Sequence, residues 1–301
     1  GTSLIFVLRP IIQNLYVKRK YNIKLADANK DYALKDKWDG LAQHIAYVIH
    51  TNTDITILSI FSTLSEVSVY SVYMLIVKGV KALISSFSSG LDAAFGDMIS
   101  KKEIENLRIK FEMYEIVYFI ICSILFSCSL VLIVPFVEIY TQNIHDANYI
   151  RPIFAILLVI SECIWSVRLP YLTLAYANGD FRQTRVGAWV ECLSNIIISL
   201  ILVKRFGIVG VAIGTIIAMV IRTIEFIYHS NKRILKVDTF NSMKKIMLMS
   251  FIILMVSLLS NYFNLCSADN YLNWLIKAIV VFTLTTIITI ILNIIVYNEK
   301  I

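Results

Sequence analysis

Several side chains in this sequence carry charge or strong hydrogen-bonding capacity inside otherwise apolar stretches. Between residues 41 and 61, Gln43, Tyr47, His50 and Asp54 fall on a stripe about 60° wide when wound at 100° per residue. Between 67 and 95, Lys78, Lys81, Ser85, Ser88 and Asp92 share one narrow face, with Lys78 near the middle of the stretch. Further on come Glu162, Ser166 and Arg168, then Glu191, Asn195 and Ser199, then Arg222 and Glu225. A charge at the centre of a bilayer costs at least about 2.5–3.5 kcal/mol. Polar stripes on four or more helices therefore imply a common wet interior, a cavity that binds ions or polar ligands. Each stripe also has a plainer reading. Lys81, Asp92, Arg168, Arg222 and Glu225 lie near enough to span ends to snorkel, and Arg222 with Glu225 has the spacing of a surface i,i+3 pair. Lys78 and Asp54 sit deeper, where they either line the cavity or neutralise each other.

Catalytic patterns are missing from the same inventory. The sequence holds no P-loop, no nucleophile elbow and no H-E-x-x-H, so an enzyme is not expected, nor a cofactor. His44 and His50 are six residues apart and do not share a helix face, so a two-histidine metal site within that helix is not expected either. Gly207-Ile-Val-Gly210 through Gly214-Thr215 superficially resembles a phosphate loop, but it leads into an apolar stretch with Ala218 next in register. Small residues at 210, 214 and 218 are expected to let two helices pack closely.

The elements that must position these groups are membrane helices. Of 301 residues, 58% are hydrophobic and 16% charged, and the mean hydropathy is +0.73. Ordinary globular chains have about 45–50% apolar and about 25% charged residues. The hydropathy predicts a partial helix over 1–16 and full spans over 41–61, 67–95, 111–140, 152–176, 186–203, 207–228, 246–263 and 274–297. The chain opens on Gly1 with no readable signal peptide, so a preceding segment is expected. Cys122, Cys128, Cys163, Cys192 and Cys266 form no C-x-x-C and read as packing residues. Pro170 is expected to kink its helix.

Basic residues sort by loop. One side receives Lys18, Arg19, Lys20, Lys24, Lys30, Lys35 and Lys37, then Lys101, Lys102, Arg108 and Lys110, then Arg182 and Arg185. It also receives Lys232, Arg233, Lys236, Lys244, Lys245 and Lys300, whereas the other side has only Arg151, Lys204 and Arg205. This asymmetry puts 17–40, 96–110, 177–185, 229–245 and the C-terminus in the cytoplasm, and it accounts for the net charge of +7 without nucleic acid. Segment 17–40 reads either as an amphipathic element at the headgroup surface or as a solvated linker.

Several ordered motifs carry a family resemblance. They are Thr53-Asp54-Ile55, Tyr70-Ser-Val-Tyr73, Phe95-Gly96-Asp97-Met98-Ile99 and Phe111-Glu-Met-Tyr-Glu115. Ala177-Asn-Gly-Asp-Phe181-Arg182 with Thr184 and Arg185 follows, then Glu191-Cys-Leu-Ser-Asn195 and the Gly207–Thr215 run. In order and spacing the chain resembles the polysaccharide repeat-unit flippases, the Wzx-type branch of the multidrug/oligosaccharidyl-lipid/polysaccharide exporter superfamily. The resemblance runs to about residue 228, and the last two helices match in hydropathy only.

The resemblance implies an all-α polytopic bundle. Residues 1–16 would end a preceding helix, 17–40 would link two lobes in the cytoplasm, and 41–228 would form the second six-helix lobe. Residues 229–245 would be a cytoplasmic loop and 246–301 two accessory helices. It also implies a multi-pass protein of the bacterial cytoplasmic membrane, flipping an undecaprenyl-diphosphate-linked oligosaccharide to the outer leaflet by alternating access. A polysaccharide polymerase and chain-length machinery would be its partners, beside membrane lipids. Lys78 and Lys81 would meet the anionic diphosphate, with Ser85, Arg168, Glu191, Asn195 and Arg222 as further cavity candidates. His50, Asp54 and Glu162 are the candidates for a coupling proton or sodium ion. Alternatives are a drug or organic-cation antiporter, a peptidoglycan-precursor flippase, or a polysaccharide polymerase or ligase. The last usually needs a large outer loop, and those expected here are short.

Overall fold

The computed structural model describes residues 2–21, 37–88 and 90–297. Most of the proposed linker (22–36) and the C-terminal residues 298–301, both expected in the cytoplasm, lie outside the described residues. The described elements are α-helices in the order α1 (Thr2–Tyr21), α2 (Lys37–Phe61), α3 (Leu64–Ser88), α4 (Leu91–Ser100) and α5 (Ile104–Tyr140). Then come α6 (Pro152–Ala177), α7 (Phe181–His229) with a π-helical turn at Ser230–Leu235, α8 (Thr239–Tyr262) and α9 (Tyr271–Tyr297).

Among the described residues, six stretches are long and apolar enough to cross a membrane, with α3–α4 taken together and α7 taken with its π-turn. Many large apolar side chains point outward, as a lipid-facing surface requires. α2 has the length, but its polar stripe keeps it out of that set. The chain is a polytopic helical membrane bundle.

One expected span looks different in the structure. The stretch 67–95 is not one helix. α3 ends at Ser88, Gly90 adopts φ 93°, and α4 starts at Leu91. That left-handed conformation suits glycine, which has no Cβ to clash. Asp92 therefore lies beyond the break and does not continue the Lys78–Ser85 stripe.

The spans 186–203 and 207–228 are present as two helical arms of α7, separated at Gly207, where the backbone leaves the helical conformation. Gly207, at φ 55° and ψ −132°, folds the chain back on itself. Contacts pair positions about equally far from Phe206: Asn195 with Thr215, Ser199 with Val211, and Leu202 with Gly210. Helix α7 is thus a tight antiparallel hairpin with two arms. A Cβ on Gly210 would fall 2.5 Å from the Leu202 carbonyl oxygen, and one on Gly214 2.9 Å from the Ser199 nitrogen. The small residues at 210 and 214 let the arms approach closely, as expected from sequence, and Ala218 is fully buried.

The remaining elements surround this hairpin. α2 lies along α7, α6 packs on α7, and α8 and α9 pack on α5. An aromatic core of Tyr73, Tyr118, Tyr171, Phe95, Phe111 and Phe154 ties α3–α6 together. The short α4 docks through Phe95, whose ring centroid lies 5.9 Å from those of Phe111 and Tyr114. Beyond the spans, Asp238 caps α8, and the bond from the Phe240 N–H holds its carboxyl below the usual range. All five cysteines are free.

Candidate functional site

The first cluster forms where α2 meets the α7 hairpin. Asp54 is 7% exposed, because the Gly210/Gly214 packing brings Thr215 and Asn195 against its face of α2. The Thr215 hydroxyl lies 2.8 and 2.9 Å from the two Asp54 oxygens, and Asn195 Nδ2 lies 3.4 Å from Oδ1. Asn195 Oδ1 accepts from Ser199 at 2.9 Å, and its Nδ2 lies 3.2 Å from His50 Nδ1. The Val211 carbonyl lies 3.2 Å from Thr215 Oγ1 and 3.4 Å from Ser199 Oγ. Carboxylate, amide, hydroxyl and backbone oxygens therefore converge from α2 and the two arms of α7. Such oxygens suit a hard monovalent or alkaline-earth cation or a proton. Among the described residues, no group of three or more His, Cys, Asp or Glu side chains forms a softer metal site.

A second cluster lies beside it. Arg168 on α6 is 3% exposed and places Nη1 2.5 Å from Glu191 Oε1. His50 Nε2 approaches the same oxygen at 3.8 Å, and Arg222 Nε comes within 3.9 Å of Glu191 Oε2. Arg222, also 3% exposed, donates to the Thr184 carbonyl at 2.6 Å and to Glu225 at 2.5 Å, with its guanidinium 4.2 Å from the Phe226 ring centroid. Gly187 leaves room for this arrangement, since a Cβ there would run into the Glu225 carboxylate. Lys81 on α3 reaches in from the side. Its Nζ lies 3.2 Å from Glu162 and 3.8 Å from the centroid of the Trp165 ring. Charges of both signs from α2, α3, α6 and α7 thus form a connected buried patch, costly unless mutually satisfied or hydrated.

Most of the candidate residues come together here: His50, Asp54, Lys81, Glu162, Arg168, Glu191, Asn195 and Arg222. Lys78 does not. It is exposed on α3 and makes no ion pair with Asp54, so that neutralising pair is absent. Ser85 turns back to the Lys81 carbonyl at 2.8 Å. Arg168 and Arg222 are buried rather than snorkelling, and the Arg222–Glu225 contact forms with Arg222 inside the bundle.

Sequence reading left out Thr215, Trp165 and Tyr176 as site residues. Thr215 was legible only within a glycine-spaced motif, whose close packing delivers it to Asp54. Gln43, part of the first polar stripe, is a junction. It donates to the Phe181 carbonyl and Thr184, and accepts from Tyr176 at 3.1 Å and Arg222 at 3.4 Å.

One cavity adjoins these groups, and a second opens elsewhere in the bundle. The first, of about 380 Å³, lies between α2, α6 and the start of α7, lined by Gln43, Tyr47, Trp165, Arg168, Tyr176 and Phe181 among others. The other, about 970 Å³, is an apolar groove between α5, α6, the second arm of α7 and α8, with Leu130, Val134, Ile160, Ile224, Ile253 and Leu254 in its walls.

No protein-family model matches the chain, and no curated protein matches it in sequence. Solved structures do match in fold. The lipid II flippase MurJ in its inward closed conformation aligns at TM-score 0.63 and 16% identity, over 94% of this chain and 58% of that one. A MOP superfamily transporter from Pyrococcus furiosus aligns at TM-score 0.54 and 14% identity, over 73% of this chain and 51% of that one. The chain therefore spans little more than half the length of these structures, and over the aligned residues its fold is similar to theirs.

Proposed function

We propose that this chain forms the second lobe and accessory helices of a flippase for an undecaprenyl-diphosphate-linked oligosaccharide. It moves the repeat unit from the cytoplasmic to the outer leaflet of a bacterial cytoplasmic membrane for polysaccharide assembly. The observation that carries this reading is the buried ionic patch linking α2, α3, α6 and α7 beside a cavity. A soluble core has little use for it, whereas a translocation path has. The diphosphate is anionic, and Lys78 and Lys81 are the cations on α3 that meet it, Lys78 by its exposure and Lys81 by exchanging Glu162 for phosphate. The apolar groove along α8 supports a lipid-linked substrate, since its walls match a prenyl chain. Asp54, with Thr215, Asn195 and the Val211 carbonyl, is the site for a coupling sodium ion or proton, and its exchange drives alternating access. A polymerase and chain-length machinery act downstream, and the C-terminus faces the cytoplasm.

A second reading, a peptidoglycan-precursor flippase, is favoured by the likeness to MurJ over nearly the whole chain. Fractionating lipid-linked sugars by leaflet, in cells depleted of the protein, separates the two. Accumulation of repeat units in the cytoplasmic leaflet supports the first reading, and accumulation of lipid II supports the second. Repeat units reaching the outer leaflet unpolymerised, with lipid II normal, would point to a polymerase and exclude both.

A further inference from the structure

We infer that the cavity between α2, α6 and the start of α7 is a sugar subsite, seating the pyranose attached directly to the diphosphate; this rests on the flippase reading. A pyranose presents an apolar face of C–H bonds and a rim of hydroxyls, and a complementary site offers aromatic faces with a few fixed polar groups. The cavity has both. Tyr47, Trp165, Tyr176 and Phe181 contribute four aromatic rings to its wall, and the Tyr176 and Phe181 ring centroids lie 5.1 Å apart. Tyr176 is held by its bond to Gln43, so one ring is fixed before any ligand arrives.

The polar group is Arg168. It lines the cavity and is almost completely buried, and its Nε has no hydrogen-bond partner. Its guanidinium is the charged donor in the cavity wall, and a sugar oxygen is a suitable acceptor for it. Glu191 already balances the Arg168 charge, so the pair suits neutral hydroxyl and acetamido oxygens as well as an anion. At about 380 Å³, the space lies at the low end of small-ligand pockets, right for one sugar and too small for a repeat unit of several.

Position identifies which sugar. The Trp165 indole lines this cavity and also carries Lys81 on its ring, with Nζ 3.8 Å from the centroid. A diphosphate at Lys81 therefore lies one aromatic ring away from the cavity, the separation between a glycosyl residue and the phosphates that bear it. The site would read the first sugar and leave the distal ones unread.

The test uses the purified chain in nanodiscs with two kinds of probe: bare undecaprenyl diphosphate, and the same lipid bearing one glucose, galactose or N-acetylglucosamine. At least one sugar-bearing lipid should bind about tenfold tighter than the bare one, the scale of one buried aromatic anchor. That ratio should fall to about one in Trp165→Ala and in Leu172→Trp, which fills the cavity, and persist in Trp165→Phe. A ratio of one for every sugar in the native chain, or a ratio retained in either blocking variant, overturns the subsite and leaves the flippase reading standing. Binding of neither kind of lipid overturns both.

Discussion

Two buried ion clusters in this bundle share their chemistry and differ in their surroundings. Around Glu115, which is 2% exposed, both carboxylate oxygens are engaged, one by Tyr171 and the other by Lys245 of α8. The adjacent space is about 10 Å³, room for one water at most. Around Glu191 one oxygen is held tightly by Arg168 Nη1 at 2.5 Å, while His50 and Arg222 stand off at 3.8 and 3.9 Å and Arg168 Nε is unpartnered. A cavity of about 380 Å³ opens next to it. A closed and saturated cluster fastens helices together, here α8 to the α5–α6 core. A cluster with spare hydrogen-bonding capacity beside open space is built to exchange partners.

The sharpest way to break this contrast is Lys245→Met. Removing one partner leaves a buried uncompensated carboxylate, so a loss of about 3–5 kcal/mol is expected. The readout is thermal unfolding in detergent, together with abundance in the membrane. Adding Glu115→Gln should restore most of the loss and leave flipping intact. A double variant that is stable but inactive would show that the closed cluster takes part in transport.

Glu191→Gln should cost less stability, about 1–2 kcal/mol, because the neighbouring cavity can hydrate the freed guanidinium groups. Its transport should nevertheless collapse, read as repeat units retained in the cytoplasmic leaflet at normal protein abundance. Normal flipping in this variant would make the open cluster structural and remove the distinction.

The smallest effect is expected at the Glu66–Arg151 pair near the other end of the bundle, where the two side chains are partly exposed and 2.9 Å apart. Glu66→Gln should shift stability by under about 1 kcal/mol and leave flipping unchanged. A larger loss would mean that pair locks α3 to α6 during transport.

Legibility in the sequence followed the range of the physics involved. The polar stripe Gln43–Tyr47–His50–Asp54 was readable because it depends only on the 3.6-residue period of one helix; Gln43, His50 and Asp54 are buried in the structure, and Tyr47 is exposed. Lys78 and Lys81, one turn apart, could not be ranked that way. Their depths are similar, and only the rotation of α3 against α6 decides that Lys81 meets Glu162 while Lys78 stays exposed. Lys245 was assigned to a cytoplasmic loop by its charge, and the structure buries it, since Glu115 waits 130 residues away in sequence.

What the sequence determined by itself was therefore the membrane bundle, most of its crossings, and the glycine spacing that closes the α7 hairpin. Hydropathy and backbone sterics act locally, so they are written in consecutive residues. What only the tertiary structure decided was which polar groups share a site: Thr215 with Asp54, Arg168 with Glu191, Trp165 with Lys81. All three pairings join different helices. Their geometry depends on helix rotation and depth, which are set by the packing of whole helical faces.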